Sequence, residues 1–179
     1  MATRRNSAFD RDSWVFFPDK KGDKAWLPAR VASQNDSTTT LEFQSGGREE
    51  ISSAEFSKLE MCGASMNLDL DNLVDLDAFS EGSILHHVRK RFLEDKIYTH
   101  VGSILVAVNP FQRLPGIYDD SQIKYYTANV HSSDPPAPHV YGSAALAYDQ
   151  MRTGRGNQSV LVSGESGAGK TETAKQVLR

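Results

Sequence analysis

The chain has 179 residues and a single cysteine, Cys62, so it cannot form an internal disulfide. That excludes the disulfide-stapled secreted scaffolds and fits a reducing compartment such as the cytosol. Long apolar runs are also missing. The longest purely apolar stretch is residues 104–108, far short of the roughly 20 residues a membrane-spanning helix needs. The basic start, Met1-Ala2-Thr3-Arg4-Arg5-Asn6, has no apolar segment after it and does not read as a signal peptide. Residues 1–9 are expected to form a mobile tail. Charge of one sign is scarce: 20 Lys and Arg face 23 Asp and Glu, for a net charge of −3. Nothing in that balance calls for a nucleic-acid partner, whose binding needs a basic face. There are no internal repeats, and 39% hydrophobic residues exclude a highly charged disordered chain.

What is present divides into three segments. Residues 10–60 carry short β-branched or apolar pieces, at 13–17, 25–31, 37–43 and 49–52. They are separated by Pro18-Asp19-Lys20-Lys21-Gly22, Gln34-Asn35-Asp36 and Ser45-Gly46-Gly47. Strands and turns at this spacing predict a small antiparallel barrel, with Trp14 and Trp26 in its core. Residues 61–95 are acidic, with seven carboxylates against three basic residues. Residues 69–79 alternate acids with Leu70, Leu73, Val74, Leu76 and Phe79, the pattern of a connector with one apolar side. A helix follows, with Ser80 as its N-cap. Ile84, Leu85, Val88 and Phe92 recur at helical spacing, and Arg89-Lys90-Arg91 is expected to be a solvated face.

Residues 96–179 are mildly basic, with eight basic residues against six acidic ones. Ile97-Tyr98-Thr99-His100-Val101 and Ile104-Leu105-Val106-Ala107-Val108 predict a β-hairpin around Gly102-Ser103, the second strand fully buried. Residues 132–138 contain three prolines and read as a loop, and residues 140–151 as a helix. Ser159-Val160-Leu161-Val162-Ser163 reads as another buried strand.

That run leads into Gly164-Glu165-Ser166-Gly167-Ala168-Gly169-Lys170-Thr171, which fits G-x-x-x-x-G-K-[ST]. Glycines permit the backbone conformations that turn successive N–H groups inward as an anion nest. The helix starting near Gly169 adds its free N–H groups and positive end. Lys170 can reach the β- and γ-phosphates, and the Thr171 hydroxyl can ligate Mg²⁺. The pattern therefore predicts nucleoside triphosphate binding with Mg²⁺.

Gly164 to Thr173, read as GESGAGKTET, resembles the phosphate loop of myosin motor heads. Ile97-Tyr98-Thr99 and residues 102–111 resemble the first hairpin of that family's sheet. Asn109-Pro110 with Pro115 and Tyr118 resembles its purine-binding loop. Pro138-His139-Val140-Tyr141 with Ala144, Ala147-Tyr148 and Met151 resembles the helix before the phosphate-loop strand. Trp14-Val15 and residues 26–31 resemble the SH3-like barrel at many myosin N-termini. Pro115-Gly116-Ile117-Tyr118 is one residue longer than the common Pro-x-Tyr, a length that occurs in class XI myosins, which favours a class V/XI-like motor.

The resemblance implies an α/β P-loop NTPase fold, here a partial motor domain over residues 61–179, preceded by an SH3-like barrel over residues 10–60. It implies that Asn109, Pro110 and Tyr118 flank the adenine of ATP, while Gly164, Glu165, Ser166, Gly167, Ala168, Gly169, Lys170 and Thr171 hold the triphosphate and Mg²⁺. It implies an ATP-driven motor of the cytoplasmic actin cytoskeleton, with light chains or calmodulin joining only the complete protein. Switch I, switch II, the actin-binding cleft and the lever arm have no counterpart in residues 1–179, so no catalytic residue is assigned and negligible hydrolysis is expected. The resemblance also implies that a strand from later in the family fold separates the hairpin from residues 160–162, leaving these without a neighbour here. Two alternatives stay open: a different P-loop NTPase, or a truncated SH3-like interaction module with a vestigial loop. The adjacent His86 and His87 lack metal-ligand spacing, and Cys62 is expected to be structural.

Overall fold

The computed structural model describes residues 13–19 and 25–179. The tail expected at residues 1–9 lies outside the described residues. The chain falls into two compact units, one comprising Met1–Leu68 and Leu76–His87, the other Asp69–Asp75 and Val88–Arg179.

The first unit is built on a five-stranded antiparallel sheet. Its strands are β1 (Trp14–Pro18), β2 (Trp26–Gln34), β3 (Thr38–Phe43), β4 (Arg48–Ser52) and β5 (Glu60–Met61), in the order β4-β3-β2-β1-β5. Alternation puts Val15 and Phe17, Ala29 and Val31, Leu41 and Ile51 on one face, where they form a single core with Phe56. The Asn35 side chain closes the β2–β3 turn by accepting from the backbone N–H groups of Ser37 (2.9 Å) and Thr38 (2.7 Å). Trp14 and Trp26 are only half-buried, so the expectation that they form the core is corrected. They lie in the inner strands but point away from the packed face. Among the described residues β4 and β5 remain the two edges, and no pairing joins them into a closed barrel.

A one-turn helix, α1 (Ser53–Phe56), begins with a reciprocal cap between Ser52 and Glu55. The Ser-x-x-Glu spacing announces it in the sequence, and it delivers Phe56 to the core. Helix α2 (Glu81–Leu93) starts as expected, with the Ser83 N–H donating to the Ser80 hydroxyl at 3.2 Å. Within the first unit it comes so close to β1 that a Cβ on Gly82 would lie 2.6 Å from the Phe16 ring. His87 is buried, its ring nitrogens facing the carbonyl oxygens of Ser83 (2.8 Å) and Ser65 (3.1 Å).

In the second unit the hairpin forms as predicted. Strands β6 (Tyr98–Val101) and β7 (Ile104–Ala107) pair from Tyr98–Ala107 to Val101–Ile104 across Gly102, whose φ of +60° suits a glycine. Burial of β7 is corrected: Ile104 is 65% exposed. Arg91 is also a correction, because it is buried rather than solvated. Its guanidinium donates to Thr99 Oγ1 (3.0 Å), Asp69 Oδ1 (2.9 Å) and the carbonyls of Leu70 (3.1 Å) and Tyr98 (3.1 Å), and it pairs with Asp71. A buried guanidinium persists only when its donors are satisfied in this way. The acidic connector supplies those acceptors, while Asn72 bridges to His100 beside β6.

Three helices complete the unit: α3 (Asp120–Ala128), α4 (Val140–Arg152) and α5 (Lys170–Val177). Its core gathers Ile97, Tyr98, Tyr126, Val140 and Tyr141. Residues 159–163 are the main correction. They form no strand among the described residues, and Leu161 is 92% exposed. A β-former needs a hydrogen-bonded neighbour, and none of the described residues pairs with this run, as the resemblance implied for residues 160–162. An open groove of about 1030 Å³ separates it from the hairpin residues Ile104, Leu105 and Ala107.

Candidate functional site

The G-x-x-x-x-G-K-T run folds as a loop that ends in a helix. Gly167 and Gly169 take φ of +80° and +93°, values that side chains disfavour. Gly169 is the N-cap of α5 and has no side chain to satisfy the helix end. The first bond of the helix runs from Thr173 N–H to the Gly169 carbonyl at 2.9 Å. The N–H groups of Lys170, Thr171 and Glu172 therefore have no intrahelical acceptor. These donors, with the positive helix end, are suited to an anion. Lys170 Nζ arches back across the loop and donates to the carbonyls of Gly164 and Glu165, both at 2.8 Å. A triphosphate fits this donor set.

Thr171 is exposed at the second position of α5. Among the described residues no group of three or more His, Cys, Asp or Glu side chains is arranged to hold a metal ion. A Mg²⁺ here would take the Thr171 hydroxyl together with phosphate oxygens and water, a set that suits this cation.

Asn109 is brought directly to the loop. Its Nδ2 donates to the Gly167 carbonyl at 2.7 Å, and its Oδ1 accepts from Phe111 N–H at 2.9 Å. That second bond holds Phe111 at a φ of +52°, uncommon for a bulky residue. Pro110 lies between them, half-buried. Tyr118 sits at the far end of the same connection, in an aromatic cluster. Its hydroxyl shares a hydrogen bond of 2.8 Å with the Tyr98 hydroxyl, and its ring packs against His139 and Tyr141. The Tyr118 carbonyl accepts from Tyr141 Oη (3.3 Å), and Tyr141 Oη also donates toward Gln176 Oε1 of α5 (2.8 Å). Tyr98 and Tyr126 have their phenol pKa values raised, chiefly by burial, so both hydroxyls stay protonated, and that of Tyr126 donates to the Ala137 carbonyl (3.0 Å). Burial pushes the Cys62 thiol up to about 12, which leaves it without thiolate reactivity.

The residue that sequence reasoning missed is His139. It caps α4, accepting at Nδ1 from Tyr141 N–H (3.0 Å), and it contacts the Ile117 carbonyl through Nε2 (3.0 Å). Histidine is not among the preferred N-cap residues, and only its position beside Pro138 and before a helical pattern marked the boundary.

Asn109 thus joins a helix-start loop with free N–H donors to a second loop. Comparison with known proteins places the chain in a family. The myosin head (motor domain) family matches residues 70–179. The high molecular weight form of myosin-1 from Acanthamoeba castellanii is 40% identical over 141 residues, covering 79% of this chain and 9% of that protein. Myosin-15 of Arabidopsis thaliana is 34% identical over 165 residues, covering 92% of this chain and 10% of that protein. Unconventional myosin-VI of Mus musculus is 43% identical over 111 residues, covering 62% of this chain and 9% of that protein. The chain belongs to the myosin head family, and it spans about a tenth of the length of these relatives.

Proposed function

We propose that this chain is the ATP-binding portion of an actin-based motor. In this reading residues 10–60 form an SH3-like module, and residues 61–179 form the first part of a P-loop NTPase motor domain. Residues 164–171 take the triphosphate, Thr171 ligates Mg²⁺, and Asn109, Pro110 and Tyr118 border the adenine. The observation that carries it is the contact from Asn109 to the Gly167 carbonyl, which joins the two loops into one site. The longer Pro115–Tyr118 connection supports a class V/XI-like motor.

ATP-driven movement along actin, light-chain or calmodulin binding, and residence on the cytoplasmic actin cytoskeleton belong to the complete protein. Among the described residues no helix is long and apolar enough to cross a membrane. Residues 1–179 supply ground-state binding and part of the charge stabilisation that phosphoryl transfer requires. The switch I and switch II motifs that position the attacking water in the family have no counterpart in residues 1–179, so steady-state turnover by these residues is expected to be negligible. Titration with a fluorescent ATP analogue and Mg²⁺ tests the site: saturable binding that Lys170→Ala abolishes is the expected result. Absence of binding would leave the interaction-module reading in its place, and turnover that Lys170→Ala abolishes would refute the claim of negligible hydrolysis.

A further inference from the structure

We propose that His139 is a positioning residue for the nucleobase end of the site, setting where the Tyr118 loop stands by clamping it to the start of α4. The inference rests on the reading of Tyr118 as a base-bordering residue and extends it to a side chain that touches no nucleotide.

The bonding fixes the chemical form of the ring. Nδ1 accepts from Tyr141 N–H, so the proton must be on Nε2, which then donates to the Ile117 carbonyl. Only the neutral ring with this tautomer makes both bonds. Burial favours that form, holding the pKa near 4 against the ordinary 6.5. Asp69, Asp71, Arg91, Asp95 and Lys96 line the same small cavity as the ring, but the ring's immediate neighbours are aromatic. Tyr126 of α3 stacks on it at 4.9 Å and 18°, and Tyr98 of β6 meets it edge-on at 4.9 Å. Tyr141 of α4 and Tyr118 complete the enclosure at 4.8 and 5.9 Å.

The consequence is a loop tied near each end by a side chain from another element. Asn109 ties its beginning to the phosphate loop through Gly167, and His139 ties its end through Ile117, the residue next to Tyr118. Between them Leu114 packs on the core, while Phe111, Gln112, Arg113, Pro115 and Gly116 are exposed. Without the Ile117 bond and the ring behind it, Tyr118 would keep its hydroxyl bond to Tyr98 and the bonds its carbonyl accepts from Arg179 Nη1 (2.7 Å) and Tyr141 Oη (3.3 Å), but lose the anchor one residue earlier and the ring that backs its own.

The test compares MgATP with Mg-tripolyphosphate, which has the phosphates and no base, on the 179-residue chain and its His139→Asn variant. Asparagine is a good N-cap, so it preserves the start of α4 while removing the ring and the reach to Ile117. The expected result is that ATP affinity falls roughly 5- to 30-fold toward that for tripolyphosphate, as loss of a buried hydrogen bond and its packing implies. Tripolyphosphate affinity should stay unchanged, which also reports that the phosphate loop is folded. Two results overturn the inference alone: an ATP preference retained in the variant, or an equal loss for both ligands, which marks a merely structural role. A wild-type chain that binds neither ligand, or binds ATP no better than tripolyphosphate, refutes the base-site reading and the inference with it. A His139→Gln variant gives a second geometry for the same comparison.

Discussion

The N-terminal sheet and the stretch from residue 159 to 179 start from similar raw material and end differently. Both contain strand-forming apolar runs next to glycine-rich turns. In the sheet β3 finds both partners within a few residues of chain, so Leu41 reaches complete burial between β2 and β4. Val160, Leu161 and Val162 have equal β propensity, but no strand pairs with them among the described residues, and Leu161 stays exposed. Propensity decides what a segment can become, and a neighbour decides whether it does. The loop that follows needs no such neighbour, because its shape comes from glycine φ values and a helix end.

The comparison predicts that ligand binding and stability separate along the chain. Lys170→Ala should weaken MgATP binding by about 100-fold or more, since it removes a charge-assisted donor set, yet leave the melting temperature unchanged. Calorimetric titration and a thermal melt on one sample check both halves; a large drop in melting temperature would break the separation. Leu41→Ala should do the opposite. It should cost about 2–5 kcal/mol by urea denaturation, with nucleotide affinity intact at temperatures where the variant is folded.

Acid sharpens the contrast within the second unit. His139 is held near 4 when folded, and its ordinary value is 6.5. Between those values the unfolded chain binds more protons, so stability rises with pH and is lost as pH falls from about 6.5 toward 4. The loss should be of order 2 kcal/mol, and His139→Asn should flatten it; urea midpoints at pH 7 and 4.5 for both proteins test this. An equal slope in the variant would assign the acid sensitivity to other groups. The smallest effect belongs to Leu161→Ala, expected within about 0.5 kcal/mol, with fast amide exchange at residue 161. Slow exchange there would mean that the run is paired after all.

Local features were legible in the sequence. The four longest strands of the sheet, the Ser80 cap, the hairpin at Gly102 and the phosphate loop each rest on residues close together in the chain. Helix α3 was missed, although Asp119 stands at its N-cap and Ile123 and Tyr126 share a face. Arg91 was misjudged for a different reason. Its acceptors Asp69 and Asp71 lie some twenty residues earlier, so a run of three basic residues looks solvated until the chain folds back. His139 likewise depends on Tyr126, Tyr98 and Ile117, none of which its own neighbourhood announces. Half of the candidate site was visible as a motif, and the other half exists only as an arrangement.

Asn109 has a further consequence. One end of its amide accepts from Phe111 N–H and the other donates to the Gly167 carbonyl. Aspartate has the same outline, so a template of shape alone would admit it. It would nonetheless turn an oxygen lone pair toward the Gly167 carbonyl and drive the loops apart. What must be inherited at position 109 is the identity of one atom, a nitrogen, and no measure of side-chain size or polarity would record that it had been lost.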